Sequence, residues 1–267
     1  MKLNEQKLWL TIDSDDIRHL PRHQGHPTRS KHGLPADCSS TDPSPELKNG
    51  MEGFSKWFSE GKEATLFLIA DQLDSEYFRN WLQPMLDTGR LRIASHGNSH
   101  RSWSAWPEDI VGFSNELDAA TKRLKDFSGT AWRPWFRAPA GYIAPWMARV
   151  LAESGYIVDS SVNPSALLNR KTGRGNNWNK VVTAMNDNGI VERQWLTAKF
   201  LGLTLPTCGP ALHKAFLKHI SRRKWLSQCS LEHATDSDIE DPDMEVVTVY
   251  WHLLDHAKNS GKWRPPL

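Results

Sequence analysis

Short apolar runs alternate along the chain with stretches in which apolar residues recur every three or four positions. KLWLTID (7–13), ATLFLIA (64–70), LRIAS (91–95), PWFRA (134–138) and YIVDS (156–160) read as buried strands. Ser44-Pro45-Glu46 offers an N-cap, a proline at the first helical position and an acidic first turn. Leu47, Met51, Phe54, Trp57 and Phe58 follow it at helical spacing. Tyr77, Phe78, Trp81, Leu82, Met85 and Leu86 mark a second helix, ending before Gly89. A third runs from about Pro107 to Phe127 and is stopped by Gly129. A fourth covers 145–154. Farther on, GIVERQWLT (189–197) and WLSQCSLEH (225–233) read as strands with a helix at about 210–222 between them. The last predicted helix covers about 243–258, with Met244, Val247, Trp251, Leu254 and Ala257 in register. Residues 18–45 are rich in Pro, His and Ser without periodicity, so a long loop is expected there. Strands alternating with helices imply a parallel sheet with helices outside it. More than six such units favour a closed or nearly closed (β/α) barrel, in one domain spanning residues 1–267.

Composition adds limits. A formal net charge of +2 over 267 residues gives no electrostatic argument for nucleic acid or an anionic membrane as partner. Cys38, Cys208 and Cys229 form no CxxC pair, which suits reduced thiols in a cytosolic protein better than a disulfide framework. The opening MKLNEQKLWLTID lacks the apolar core of a secretory signal, and no run has the length of a membrane span. A soluble, cytoplasmic protein is therefore expected. The 13 tryptophans fit core packing first and stacking on sugar rings second. Oligomeric state leaves no trace in the sequence.

The polar residues fall in a pattern. Asp13, Asp15 and Asp16 follow the first strand, and His96 and His100 the third. Arg137, Asp159 and His233 end later predicted strands. The C-terminal rim of a (β/α) barrel is where active sites are built. His96 and His100, in SHGNSH, are four apart and can meet one metal on a helical turn. Gly97 stands where the HExxH zincin motif has its glutamate, which excludes that motif. Neighbouring carboxylates in TIDSDD repel one another, and such clusters often hold a cation. Each feature also has a plainer reading: surface histidines, an acidic turn, a helix cap or a solvated arginine.

LTIDSDD, SHGNSH, FRAPAG, YIVDSS and LEH, in that order, resemble the five motifs of the polysaccharide deacetylases, carbohydrate esterase family 4. The first motif departs from the commonest form, two adjacent aspartates followed by glycine, by reading Asp-Ser-Asp-Asp. The resemblance implies a distorted barrel of seven strands. It implies one divalent metal, zinc before cobalt or nickel, on Asp15, His96 and His100, with Asp16 as rival to Asp15. It makes Asp13 the general base, supported by Arg137, and His233 the general acid, its ring held by Asp159. Leu231 would line the acyl pocket and the Ala140 N–H would meet the oxyanion. The implied activity is hydrolysis of an N-acetyl group from an amino sugar. With no export expected, an intracellular intermediate of surface-polysaccharide biosynthesis is favoured as substrate. The basic residues of 18–45 are candidates to meet a phosphate on it. N-deformylation of a nucleotide- or lipid-linked sugar is the close alternative. An inactive carbohydrate-binding protein on the same fold is the alternative of another class.

Overall fold

The computed structural model describes residues 6–23, 26–29 and 41–267. Cys38 and much of the expected 18–45 loop lie outside them. One seven-stranded sheet organises the molecule. Its strands are β1 (Lys7–Asp13), β2 (Ala64–Leu68), β3 (Leu91–Ser95), β4 (Trp132–Phe136), β5 (Val158–Asp159), β6 (Val191–Glu192) and β9 (Val246–His252). Their order is β6-β5-β4-β3-β2-β1-β9, and every neighbouring pair is parallel. Just past β6, Trp195 forms a parallel bridge with Thr248 of β9. The two edges of the curled sheet thus meet at one point, and the result is a distorted seven-stranded (β/α) barrel. A separate antiparallel hairpin, β7 (Thr197–Phe200) and β8 (Leu203–Pro206), follows that bridge.

The first three helices each start at a side-chain cap. In α1 (Pro45–Phe58) the Leu47 N–H donates to Ser44 Oγ at 3.1 Å. In α2 (Glu76–Leu86) Ser75 caps Phe78, and in α3 (Ile110–Ser128) Asp109 caps Gly112. Then come α4 (Pro145–Glu153), α5 (Trp178–Asp187), α6 (Leu217–Leu226) and α7 (Asp236–Glu240).

Alternation along β1 sets the layers. Leu8, Leu10 and Ile12 join the apolar cluster that includes Phe54 and Trp57 of α1. Trp9 packs instead with Phe67, Trp135 and Ile239. Its indole meets Trp135 edge-on at 5.4 Å. This aromatic layer packs with Ile239 as a cluster separate from the one against α1. Above it the lining turns polar with Thr11, Arg137 and Asp13, all buried.

Two sequence expectations fail here. Residues 246–252 form β9 rather than a helix, because the β-branched VVTV run pairs with β1 along its whole length. Residues 225–233 are the end of α6 and a turn rather than a strand. Only His233 of that run pairs with the sheet, opposite Leu8. The hairpin and α5 were not anticipated.

Candidate active site and metal centre

The carboxyl ends of β1, β3, β4 and β9 converge on a cleft of about 590 Å3, lined by Asp13, Asp15, His96, Ala140, Trp195 and His252 among others. At its floor, one ligand atom each from Asp15, His96 and His100 lies within 4.8 Å of the others, all three residues buried. His100 Nε2 is 2.8 Å from Asp15 Oδ1, and His96 Nε2 is 3.5 Å from Asp15 Oδ2. The outer nitrogens are fixed by the backbone. His96 Nδ1 donates to the Arg137 carbonyl at 2.8 Å and His100 Nδ1 to the His19 carbonyl at 2.6 Å. A carbonyl only accepts, so each Nδ1 carries the proton and each neutral ring turns a bare Nε2 inward. His100 Nε2 and Asp15 Oδ2 are buried with no hydrogen-bond partner. Leaving such atoms unsatisfied is costly, and a cation between them would satisfy both. The residues therefore fit a divalent metal.

SHGNSH does not form the expected helical turn. It is a loop with Gly97 at φ +80 and His100 at φ +62. A histidine in the left-handed region is strained, and such strain persists where surroundings enforce it. Here Glu116 of α3 is the clamp. Its Oε1 accepts from the N–H of Asn98 (3.0 Å), the N–H of Ser99 (2.7 Å) and the Ser99 hydroxyl (2.9 Å). Sequence reasoning missed Glu116, which sits on a helix with no motif around it.

The structure separates the aspartates of the first motif. Asp16 turns away: its carboxylate accepts from Ile17 N–H, from Ser44 N–H at 2.8 Å and from Ser44 Oγ at 2.5 Å, pinning the start of α1. It is absent from the metal-capable groups, which leaves Asp15 as the ligand candidate. Asp13 Oδ1 accepts from Arg137 Nη1 at 2.6 Å. Arg137 is fully buried and also donates to the Ser160 carbonyl and to the hydroxyls of Thr11 and Ser160. The Phe67 ring lies 4.0 Å from its guanidinium.

His233 needs correction. It is exposed and bridged to Leu8, at the opposite end of β1 from Asp13. Leu231 goes with it and lines no part of the cleft. The histidine brought into the cleft is His252, register partner of Asp13 at the end of β9. One ligand atom each from Asp13, Asp15 and His252 also lies within 4.8 Å of the others. Burial alone would lower the His252 pKa; the hydrogen bond its ring donates to Asp255 and the charges of Asp15, Asp255 and Asp13 raise it to about 9. Asp15, His96 and His100 are the better metal group, because backbone carbonyls fix both of their rings with Nε2 inward, whereas the His252 ring faces Asp255 through Nδ1. His252 was missed because its strand was read as a helix; the WHLLD sequence, a histidine with an aspartate three residues on, was the available signal.

Asp159 does not hold a catalytic ring. Its carboxylate accepts from the N–H (3.0 Å) and hydroxyl (2.7 Å) of Ser161, and faces Glu192. Burial and the charge of Asp159 push Glu192 well above the usual carboxyl range, so Glu192 carries the proton of the pair. The service expected of Asp159 falls to Asp255, whose Oδ2 lies 3.6 Å from His252 Nδ1. Asp255 is anchored by His213 at 2.8 Å and Lys258 at 2.6 Å. Ala140 does reach the cleft, at φ +51, with its carbonyl accepting from Lys171 Nζ at 2.6 Å. Tyr250, Trp195 and Leu254 supply the apolar wall in place of Leu231.

Fold and site together define a (β/α) barrel protein with an Asp-His-His cluster at the carboxyl rim of its strands. Residues 59–158 match the family model described as polysaccharide deacetylase. The match takes in His96, His100, Arg137 and Ala140; Asp13, Asp15 and His252 lie outside it and join them only in the folded chain. Among solved structures, a protein of Mycobacterium smegmatis assigned as a polysaccharide deacetylase shares 13% identity, with 98% of this chain and 82% of that one covered at a TM-score of 0.54. At that identity the likeness is one of fold. The chitin deacetylase of Colletotrichum lindemuthianum follows at 10% identity, with 97% and 79% covered and a TM-score of 0.45, too low to add to it. No curated protein matches the chain.

Proposed function

We propose that this protein hydrolyses the N-acyl amide of an amino sugar, using one divalent cation, zinc foremost, on Asp15, His96 and His100. The observation that carries this reading is the buried, unpartnered His100 Nε2 and Asp15 Oδ2, beside a cleft that Asp13, Asp15, His96 and His252 line. When bound, the cation supplies Lewis acidity towards the acyl oxygen and towards water. Asp13 takes the proton of the attacking water, with Arg137 fixing one of its oxygens and leaving Oδ2 towards the cluster, 3.9 Å from His96 Nε2. The Ala140 N–H is the oxyanion donor from this chain. His252, oriented by Asp255, protonates the departing nitrogen, because an amine leaves only once protonated.

The lining of the cleft narrows the substrate. Asp13 is paired with Arg137, Asp255 with Lys258, and Asp15 belongs to the metal group. Arg29, Lys171 and Lys214 line the same cleft and form no ion pair among the described residues. Burial, then the charges of Arg29, Arg170 and Lys214, lower Lys171 to about 8, as expected of a cationic site awaiting an anion. The substrate we propose is a sugar carrying a phosphate, such as a nucleotide- or lipid-linked intermediate of polysaccharide assembly in the cytoplasm. The test is release of acetate or formate by the zinc-loaded protein from N-acyl sugar phosphates and their neutral counterparts. Release favouring the phosphates supports the reading, and binding without release from any of them refutes the hydrolase.

A further inference from the structure

The net charge of +2 conceals a segregated chain. Between Glu192 and Glu232 there is no acidic residue, while Lys199, Lys214, Lys218, Arg222 and Arg223 are all exposed. The same segment carries the most exposed large apolar residue in the described structure, Leu201 at 87%, on the tip joining β7 to β8. Leu203, Phe216 and Phe200 are exposed beside it, and the Phe200 and Phe216 rings touch edge-on at 5.6 Å. Leu201 sits at φ +46, where a turn ordinarily places glycine or asparagine. A leucine there is disfavoured both by its backbone and by its exposure. The α6 scaffold beneath is fixed, because Trp225 is fully buried and donates its indole N–H to the Thr207 carbonyl at 3.0 Å. Lys218, Arg222, Arg223 and Leu226 are therefore held on its open side.

We propose that the β7–β8 tip and α6 form a docking surface for a bilayer containing anionic lipids. A protruding apolar tip among basic side chains, with no carboxylate in the segment, matches an interface in which apolar groups enter the acyl boundary and cations meet phosphate headgroups. No described helix is long and apolar enough to cross a membrane, so this is attachment to a surface. The net charge of the whole chain does not report this segregation. Pro210, His213 and Lys214 line the catalytic cleft and lead into α6, so docking carries the cleft to the lipid surface. The inference stands independently of the hydrolase reading.

The test is co-sedimentation of the full chain with phosphatidylcholine vesicles, with and without phosphatidylglycerol. The protein pellets with the anionic vesicles and stays in solution with the neutral ones. Leu201→Asn, whose new residue tolerates the left-handed turn, and Arg222→Ala/Arg223→Ala each weaken binding about tenfold or more. The exposed pair Lys56→Ala/Lys125→Ala, with the same change of net charge, binds as the parent does. Failure to pellet with anionic vesicles, or binding untouched by either set of changes, overturns the proposal. A lipid-free dimer that Leu201→Asn splits would also overturn it, assigning the patch to a second copy of the chain. Hydrolysis of a water-soluble N-acyl sugar is read separately, so its absence would count against the hydrolase and not against the docking surface.

Discussion

The most decisive comparison is between His252→Gln and His233→Ala. His233 pairs with Leu8 and His252 with Asp13, five residues apart on the same strand. At roughly 3.3 Å per residue, the two histidines lie at levels about 16 Å apart along the barrel, beyond any contact with one reacting bond. General acid catalysis is worth about 10²–10⁴-fold, so His252→Gln should cost that much in kcat, while His233→Ala changes it less than about twofold. The assay is acetate release from an N-acetyl amino sugar by the zinc-loaded protein, with metal content measured on each variant. An acetyl ester with a phenolate leaving group sharpens it. Such a group departs without a proton, so His252→Gln should lose far less on the ester than on the amide. A His233 variant as crippled as the His252 one, or a His252 variant equally impaired on ester and amide, would refute the assignment.

Asp15→Ala should strip the metal, read by elemental analysis, whereas Asp16→Ala should keep it. Asp16→Ala should instead lose about 1–3 kcal/mol of stability by urea denaturation, since Asp16 ties Ser44 to the first strand. Arg137→Met should cost about 3–5 kcal/mol by leaving the Asp13 carboxylate buried without its partner, and Asp13→Asn added to it should recover part; a cost below about 1 kcal/mol would contradict the buried pair. Glu192→Gln should stabilise at neutral pH. The native state holds the Glu192 proton to higher pH than the unfolded chain does, so stability falls as pH rises above about 4.3, where the unfolded carboxyl titrates. Glutamine removes that slope and still donates to Asp159, so its advantage in Tm should grow from pH 4 to pH 8. Destabilisation at pH 8 would show that the shared proton is misassigned.

The same physics explains which assignments were legible. The strands 7–13 and 91–95 emerge with the bounds expected from their apolar runs, and the cap Ser44 opens α1. Periodicity failed where a strand is buried on both faces. Val246 to His252 lies between β1 and the Trp195 bridge, so apolar residues occupy successive positions and no alternation appears. Met244, Val247, Trp251 and Leu254 then mimic helical spacing. That single misreading moved the histidine role to LEH and took Leu231 and Asp159 with it.

The sequence by itself determined the alternating architecture, the candidate ligands Asp15, His96 and His100, and the Asp13–Arg137 partnership. The architecture follows from short-range periodicity, and the residue assignments from the resemblance that motifs a few residues long carry. Only the tertiary structure decided that Asp16 points to Ser44, that Glu116 braces the SHGNSH loop, that Asp255 serves His252, and that Glu192 shares the proton of Asp159. Each joins groups from separate elements through buried hydrogen bonds or charges. Such contacts depend on how the sheet curls and which edge strand completes it, information spread over the whole chain rather than written in any one segment.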